Sequence, residues 1–197
     1  MEKEFNYYVL QPVFTSRTAL LVNNPSVDPD GADFLHYNKV VENPSTVHLR
    51  LAFPVKDPDM SVDYFDLDAF AVFSQKVCDA LVKNNVSIND LQLIKAIVSA
   101  NDKEYDNLTI AYIHRKLKTF DEELSEVKRK RRDGGWISIK KVVLDKKILS
   151  QIPLEDRLTY VSTEYSSLKL YHESIVDIIK SVNPTGIRFT PIEEWKQ

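Results

Sequence analysis

The stretch DLDAFAVFSQKVCDALVKNN, residues 66–85, decides the fold class, because the spacing of its apolar residues changes within it. Up to Val72 the segment is typical of an extended strand. From Phe73 onward the apolar residues recur at helical spacing, with Val77 and Leu81 on the same face. A strand that leads directly into an amphipathic helix indicates a domain that mixes sheets and helices.

Turn-forming residues divide the N-terminal side of this stretch into short strands. Asn, Asp, Pro and Gly cluster at 23–25, 28–31, 43–44 and 57–59. Between these clusters the apolar or alternating runs predict strands at 7–10, 19–22 and 46–53.

The C-terminal side predicts both kinds of element. We expect strands over 88–99, 107–114, 136–144, 157–162 and 186–189, and helices over 119–132 and from Tyr171 to about 183. Ser74 and Asn84-Asn85 are suitable ends for the helix that follows Phe73. The expected fold is α+β, with a mixed or mainly antiparallel sheet and about three helices packed on it. We expect one compact domain, with 1–70 as its strand-and-turn-rich part and 71–197 as its core.

The segment 119–132 carries the most signals for a helix. Thr119 and Glu122 have the spacing of a capping box. Acidic residues occupy 121–123 near the expected N-terminus, and five cations occupy 128–132, where a helix dipole favours positive charge.

Composition restricts the class of protein and the compartment. The net charge is −3, from 26 Lys and Arg against 29 Asp and Glu, which is not the excess expected of a nucleic-acid binder. The longest stretch without a charged residue, 5–16, is too short to cross a bilayer. The first residues lack a basic secretory n-region, so we expect a cytoplasmic protein without membrane contact.

Residue types that carry catalysis or metal binding are sparse. The four histidines are far apart in the chain, and the single Cys78 lies among apolar neighbours that raise a thiol pKa. No glycine-rich phosphate loop is present among only 4 glycines. We therefore expect no catalytic, metal or cofactor-binding residue.

Two charged clusters remain as candidate contact surfaces. The acidic cluster comprises Asp57, Asp59, Asp63, Asp66 and Asp68 and lacks the glycine and terminal glutamate of a calcium loop. The basic run at 128–132 includes Lys128, Arg129, Arg131 and Arg132. The helix dipole and a Glu126–Lys130 pair explain most of this run, which leaves nucleic-acid contact as the weaker interpretation.

From Phe73 onward the chain resembles the eleventh family of immunity proteins of bacterial polymorphic toxin systems, formerly a domain of unknown function. The resemblance lies in VFSQK (72–76), YDNLTI (105–110), FDEELS (120–125), IKKVVLD (139–145), DRL (156–158) and TGIRFTP (185–191). Phe120 and Asp156 depart from the family pattern, which has Leu and Phe there. The matched residues with structural roles include Phe73, Ser74, Lys76, Asp121, Ser125, Thr185, Gly186, Phe189 and Pro191.

The resemblance implies a non-catalytic protein that binds and neutralises a cognate toxin or effector encoded nearby. Such a surface needs anchor side chains and steering charge. The candidate contacts are Tyr37, Asp63, Tyr64, Phe65, Asp66 and Trp195, together with the basic run. A homodimer is also compatible with the sequence.

Two alternative functions stay open. The first is a nucleic-acid-associated protein that uses the basic segment 128–147. The second is an enzyme whose polar residues converge only in the fold, which predicts a deep pocket with at least two titratable groups of shifted pKa.

Overall fold

The computed structural model describes residues 2–28, 39–67, 70–87, 89–130, 132 and 135–196. The described part contains three α-helices and thirteen strands, so the α+β prediction is confirmed. The helices are α1 (Gln75–Lys83), α2 (Lys146–Ser150) and α3 (Glu173–Lys180). The strands are β1 (Tyr7–Pro12), β2 (Leu20–Asn23), β3 (Val47–Leu51), β4 (Tyr64–Leu67), β5 (Phe70–Ser74), β6 (Gln92–Ala100), β7 (Lys103–Tyr112), β8 (Lys116–Leu117), β9 (Glu126–Lys130), β10 (Trp136–Lys141), β11 (Thr159–Ser162), β12 (Lys169–His172) and β13 (Ile187–Pro191).

Six strands close into a small barrel in the order β2-β3-β6-β7-β5-β4. The β2/β4 and β3/β6 pairs are parallel and the other pairs are antiparallel. Apolar side chains fill the interior, as they do in other narrow barrels. In β3, Val47 and Leu49 point inward and are fully buried, which confirms the alternation seen in the sequence.

Two strand predictions need correction around this barrel. The extended run that ends at Val72 is two antiparallel strands, β4 and β5, with Tyr64 opposite Phe73. The polar turn between β6 and β7 is also tighter than predicted. Asn101 and Asp102 have φ of 48° and 63°, the left-handed region that suits a two-residue hairpin turn, so β7 begins at Lys103.

The remaining long sheet has the order β13-β1-β12-β11-β8. Alternate residues of β1 contribute to different cores. Leu10 packs toward α1, α3 and the outer wall of the barrel, whereas Tyr7 and Val9 pack on the opposite face. This sheet therefore separates two hydrophobic cores, and the barrel interior is a third.

Helices α1 and α3 fill the space between the barrel wall and the sheet. Helix α1 begins after Ser74 and ends at Asn84, and Asn85 has φ 56°, so both predicted ends are confirmed. The predicted last helix starts too early, because Tyr171 lies on β12 and His172 is the N-cap of α3.

The predicted helix over 119–132 is wrong. Thr119 is fully buried and donates its hydroxyl hydrogen bond to Tyr160, so it caps no helix. Residues 126–130 form β9, which pairs with β10, and Trp136 and Ile139 of β10 enter the core that also contains Tyr7 and Val9. Burial of these large side chains outweighs the local helix signals.

No helix among the described residues is long and apolar enough to span a membrane.

Candidate partner-binding surfaces

Asp63 is the centre of a polar cluster that joins three segments distant in the chain. Its carboxylate accepts hydrogen bonds from Ser74 Oγ at 2.6 Å and from Thr185 N and Oγ1 at 2.8 and 3.0 Å. Lys76 Nζ lies 2.8 Å from Oδ2. Only 5% of the Asp63 surface is exposed. These contacts satisfy both oxygens, so the cluster stabilises the fold and is not a free contact for a partner.

The cluster connects the two most specific segments of the family resemblance, 72–76 and 185–191. Ser74 is at the N-cap position of α1 but makes no side-chain cap hydrogen bond, because its hydroxyl donates to Asp63. Burial works to raise the pKa of Asp63, but the donors from Lys76, Ser74 and Thr185 outweigh burial and lower that pKa.

The backbone next to this cluster requires a glycine at position 186. Its φ is +75°, and a Cβ added there would lie 2.7 Å from Val62 Cβ. We expect Gly186→Ala to lower the free energy of unfolding by about 2 kcal/mol, from backbone strain and the clash together. Urea unfolding of Gly186→Ala, Val62→Gly and the double variant separates the strain from the clash, because glycine removes the Val62 Cβ that the new methyl group would meet. The double variant should lose less free energy of unfolding than the two single variants lose together. Additive losses would contradict the clash.

The other matched residues also have structural contacts. Asp121 Oδ1 accepts hydrogen bonds from the backbone N–H groups of Glu123 and Leu124, each at 2.9 Å. Ser125 Oγ accepts one from Val143 N at 3.0 Å. Fully buried residues of the same set include Phe73, whereas Phe189 and Pro191 lie half-buried on β13.

A cleft of about 240 Å³ lies between β1, β4 and the β11–β12 connection. Its lining includes Phe14, Tyr64, Asp66, Tyr165, Lys169 and Trp195. Three predicted contacts therefore line one cleft, although Tyr64 and Trp195 are largely buried and are not the exposed anchors that we expected. Phe65 points into the barrel, which corrects its assignment as a contact. Tyr37, Asp68 and Arg131 lie outside the described residues.

Two tyrosines of the cleft wall are buried. Burial raises the pKa of Tyr64 and of Tyr171, so both phenols stay protonated at neutral pH. The Tyr64 hydroxyl donates to Leu10 O at 3.3 Å. The Lys169 ammonium lies 4.2 Å from the centre of the Phe70 ring, a cation–π contact that joins the cleft lining to β5.

Two exposed phenylalanines were missed by the sequence analysis. Phe14 is 68% exposed at the rim of the cleft, and Phe53 is 65% exposed on the loop after β3. Their loops are joined where Arg17 Nε donates to Asp57 O at 2.8 Å and Asp59 N donates to Arg17 O at 3.0 Å. Each phenylalanine stands beside a proline or a turn former in the sequence, which is the signal that could have identified it.

The basic run lies on the β9–β10 hairpin. Lys128, Arg129 and Arg132 are exposed. Lys130 contacts Glu122 at 3.4 Å, and the carboxylate of Glu126 contacts Lys140 at 2.6 Å. The Glu126–Lys130 pair expected on a helix is therefore absent from the described contacts.

The remaining candidate residues have local roles. Cys78 is buried, and burial raises its pKa to about 11, as its apolar neighbours predicted. Within the described ranges no three His, Cys, Asp or Glu side chains are placed to hold a metal ion. The acidic cluster is dispersed, since Asp59 caps the turn at Ser61 while Asp63 and Asp66 lie at the separate sites above.

Comparisons with known proteins add no assignment. No model of a known protein family matches the chain, and a search of curated proteins finds no similar sequence.

Proposed function

We propose that this chain is a non-catalytic immunity protein that binds and neutralises a cognate bacterial toxin in the cytoplasm. The observation that carries a binding role is the exposure of Phe14 at the rim of the aromatic cleft, with Phe53 exposed on a loop that is hydrogen-bonded to the loop of Phe14. Neighbouring exposed apolar side chains beside a cleft, as at Val13 and Phe14, are typical of protein contact surfaces. The toxin as partner comes from the resemblance over 72–191.

The physical basis of the contact is burial of aromatic surface. Covering one phenylalanine contributes roughly 2–3 kcal/mol, and clustered aromatic anchors dominate many interfaces. Val13 is also about half exposed between Phe14 and the end of β1. The cleft beside Phe14 offers space for a side chain of the toxin, with Asp66 and Lys169 as polar groups at its wall.

The test is co-purification with the product of the adjacent gene, followed by titration of the affinity. We expect a dissociation constant of about 1 nM or below for the native chain. Phe14→Asp and Phe53→Asp should each weaken binding by at least about tenfold, because each places an unpaired carboxylate in the apolar contact.

Val82→Asp is the matched control, since Val82 is 64% exposed on α1, which packs against α3, β5 and β7, and does not line the cleft. Its affinity should equal that of the native chain. Equal affinities for all three variants would exclude the phenylalanine surface, and the absence of any complex would remove the proposed function.

A further inference from the structure

The basic run of the β9–β10 hairpin loses its structural explanation once its secondary structure is known. On a helix, five cations at the C-terminal end would offset the helix dipole. On a strand there is no such dipole to offset. Residues 126–141 carry seven Lys or Arg against two Asp or Glu, in a protein whose net charge is −3.

Few of these cations have a carboxylate partner among the described residues. Lys130 and Lys140 contact Glu122 and Glu126, as described above. Four further cations make no such contact within the described part of the chain: Lys128, Arg129, Lys141 and Arg132. Mutual repulsion among them opposes folding, so the hairpin maintains positive charge that its own packing does not use.

The hairpin also offers backbone groups for a further strand. Within the described residues β9 pairs only with β10, which leaves its other edge open along Glu126–Lys130. A cationic edge disfavours pairing with a second copy of itself, because like charges would lie opposite each other. The same edge favours a strand that carries carboxylates.

We propose that the outer edge of β9 binds an extended acidic segment of a protein partner. The segment would add as a third strand, with backbone hydrogen bonds along β9 and carboxylates near Lys128 and Arg129. This surface shares no residue with the cleft and does not depend on the proposed function.

The side chains around the basic run favour a protein as the partner over a nucleic acid. Leu124 and Ile137 are exposed beside the cations and suit apolar side chains of a polypeptide. The aromatic residue of the hairpin, Trp136, is buried and unavailable for stacking on bases.

The experiment measures fluorescence anisotropy of a labelled peptide of about twelve residues that alternates Glu and Thr, with single-stranded DNA of similar charge as the competing probe. The native chain should bind the peptide more tightly than the DNA. Lys128→Glu with Arg129→Glu should weaken peptide binding by about tenfold or more. The matched control is Lys95→Glu with Lys103→Glu, at two exposed positions of the barrel. It changes the net charge by the same amount and should not weaken peptide binding.

Backbone pairing is tested with two N-methylated peptides. In the first, every odd residue carries the methyl group, and in the second every even residue does, so that each peptide lacks the N–H groups of one of its two strand edges. One of the two should lose binding, because its methyl groups replace the N–H groups that face β9. Equal binding of both, tighter binding of DNA, no peptide binding, or an equal loss in the Lys95 and Lys103 control would each overturn the proposal.

Discussion

Arg157→Ala should lower the free energy of unfolding by about 3–5 kcal/mol, the range for breaking a buried, hydrogen-bonded charge. The Arg157 side chain has no exposed surface. Its guanidinium donates to Ile152 O at 2.9 Å, Glu4 O at 2.8 Å, Tyr7 Oη at 2.9 Å and Glu4 Oε1 at 2.6 Å. Truncation would leave the two carbonyl groups and the Tyr7 hydroxyl without this donor and would open a cavity.

Urea unfolding followed by circular dichroism measures the loss. Arg50→Ala is the control, because the Arg50 side chain is exposed and, among the described residues, its one hydrogen bond goes to the carbonyl of Leu51. This substitution should lower the free energy of unfolding by less than about 0.5 kcal/mol. If Arg157→Ala does not fold, Arg157→Lys supplies the test. Lysine keeps the positive charge but lacks the planar guanidinium group. The free energy of unfolding of Arg157→Lys should therefore lie between those of the native chain and of Arg157→Ala. A loss for Arg157→Lys no larger than that of Arg50→Ala would contradict the buried-charge explanation.

Arg157 also shows where the sequence was informative and where it was not. The alternation in β3 and the change of period at Phe73 depend on neighbours within a few residues, so local patterns predicted these elements. The partners of Arg157 lie up to 153 residues away, at Glu4. No local pattern indicates which of 26 basic residues will be buried by such contacts.

The helix prediction over 119–132 was wrong because contacts distant in the sequence outweighed the local signals. Its local signals agreed on a helix, but the cross-strand contact of Glu126 with Lys140 and the burial of Trp136 depend on β10. Closure of the barrel likewise depends on the parallel β3/β6 pair, which joins residues about fifty positions apart. Of the candidate contacts, the sequence identified the hairpin cations by composition and missed the exposure of Phe14, because exposure is decided by the packing around β1.

The second large effect is the dependence of stability on pH through Asp63. Because the donors around it lower its pKa in the folded chain, the unfolded chain binds a proton more readily. The contribution of Asp63 is therefore complete above the unfolded pKa of about 4 and is lost as the pH falls through the lower folded pKa. Asp63→Asn should cost about 2–3 kcal/mol at pH 7, since the charge-assisted bonds from Lys76, Ser74 and Thr185 are weakened or lost.

The measurement is urea unfolding of the native chain and of Asp63→Asn between about pH 7 and pH 3, compared as a difference so that other carboxyl groups cancel. The difference should shrink as the pH falls, because acid protonates the native carboxyl and brings it closer to the neutral amide. Asp57→Asn removes an exposed carboxyl from the same acidic cluster and should show a small difference at every pH. A difference for Asp63→Asn that stays constant with pH would mean that the shape of the side chain, and not its charge, holds Thr185 and Ser74 together.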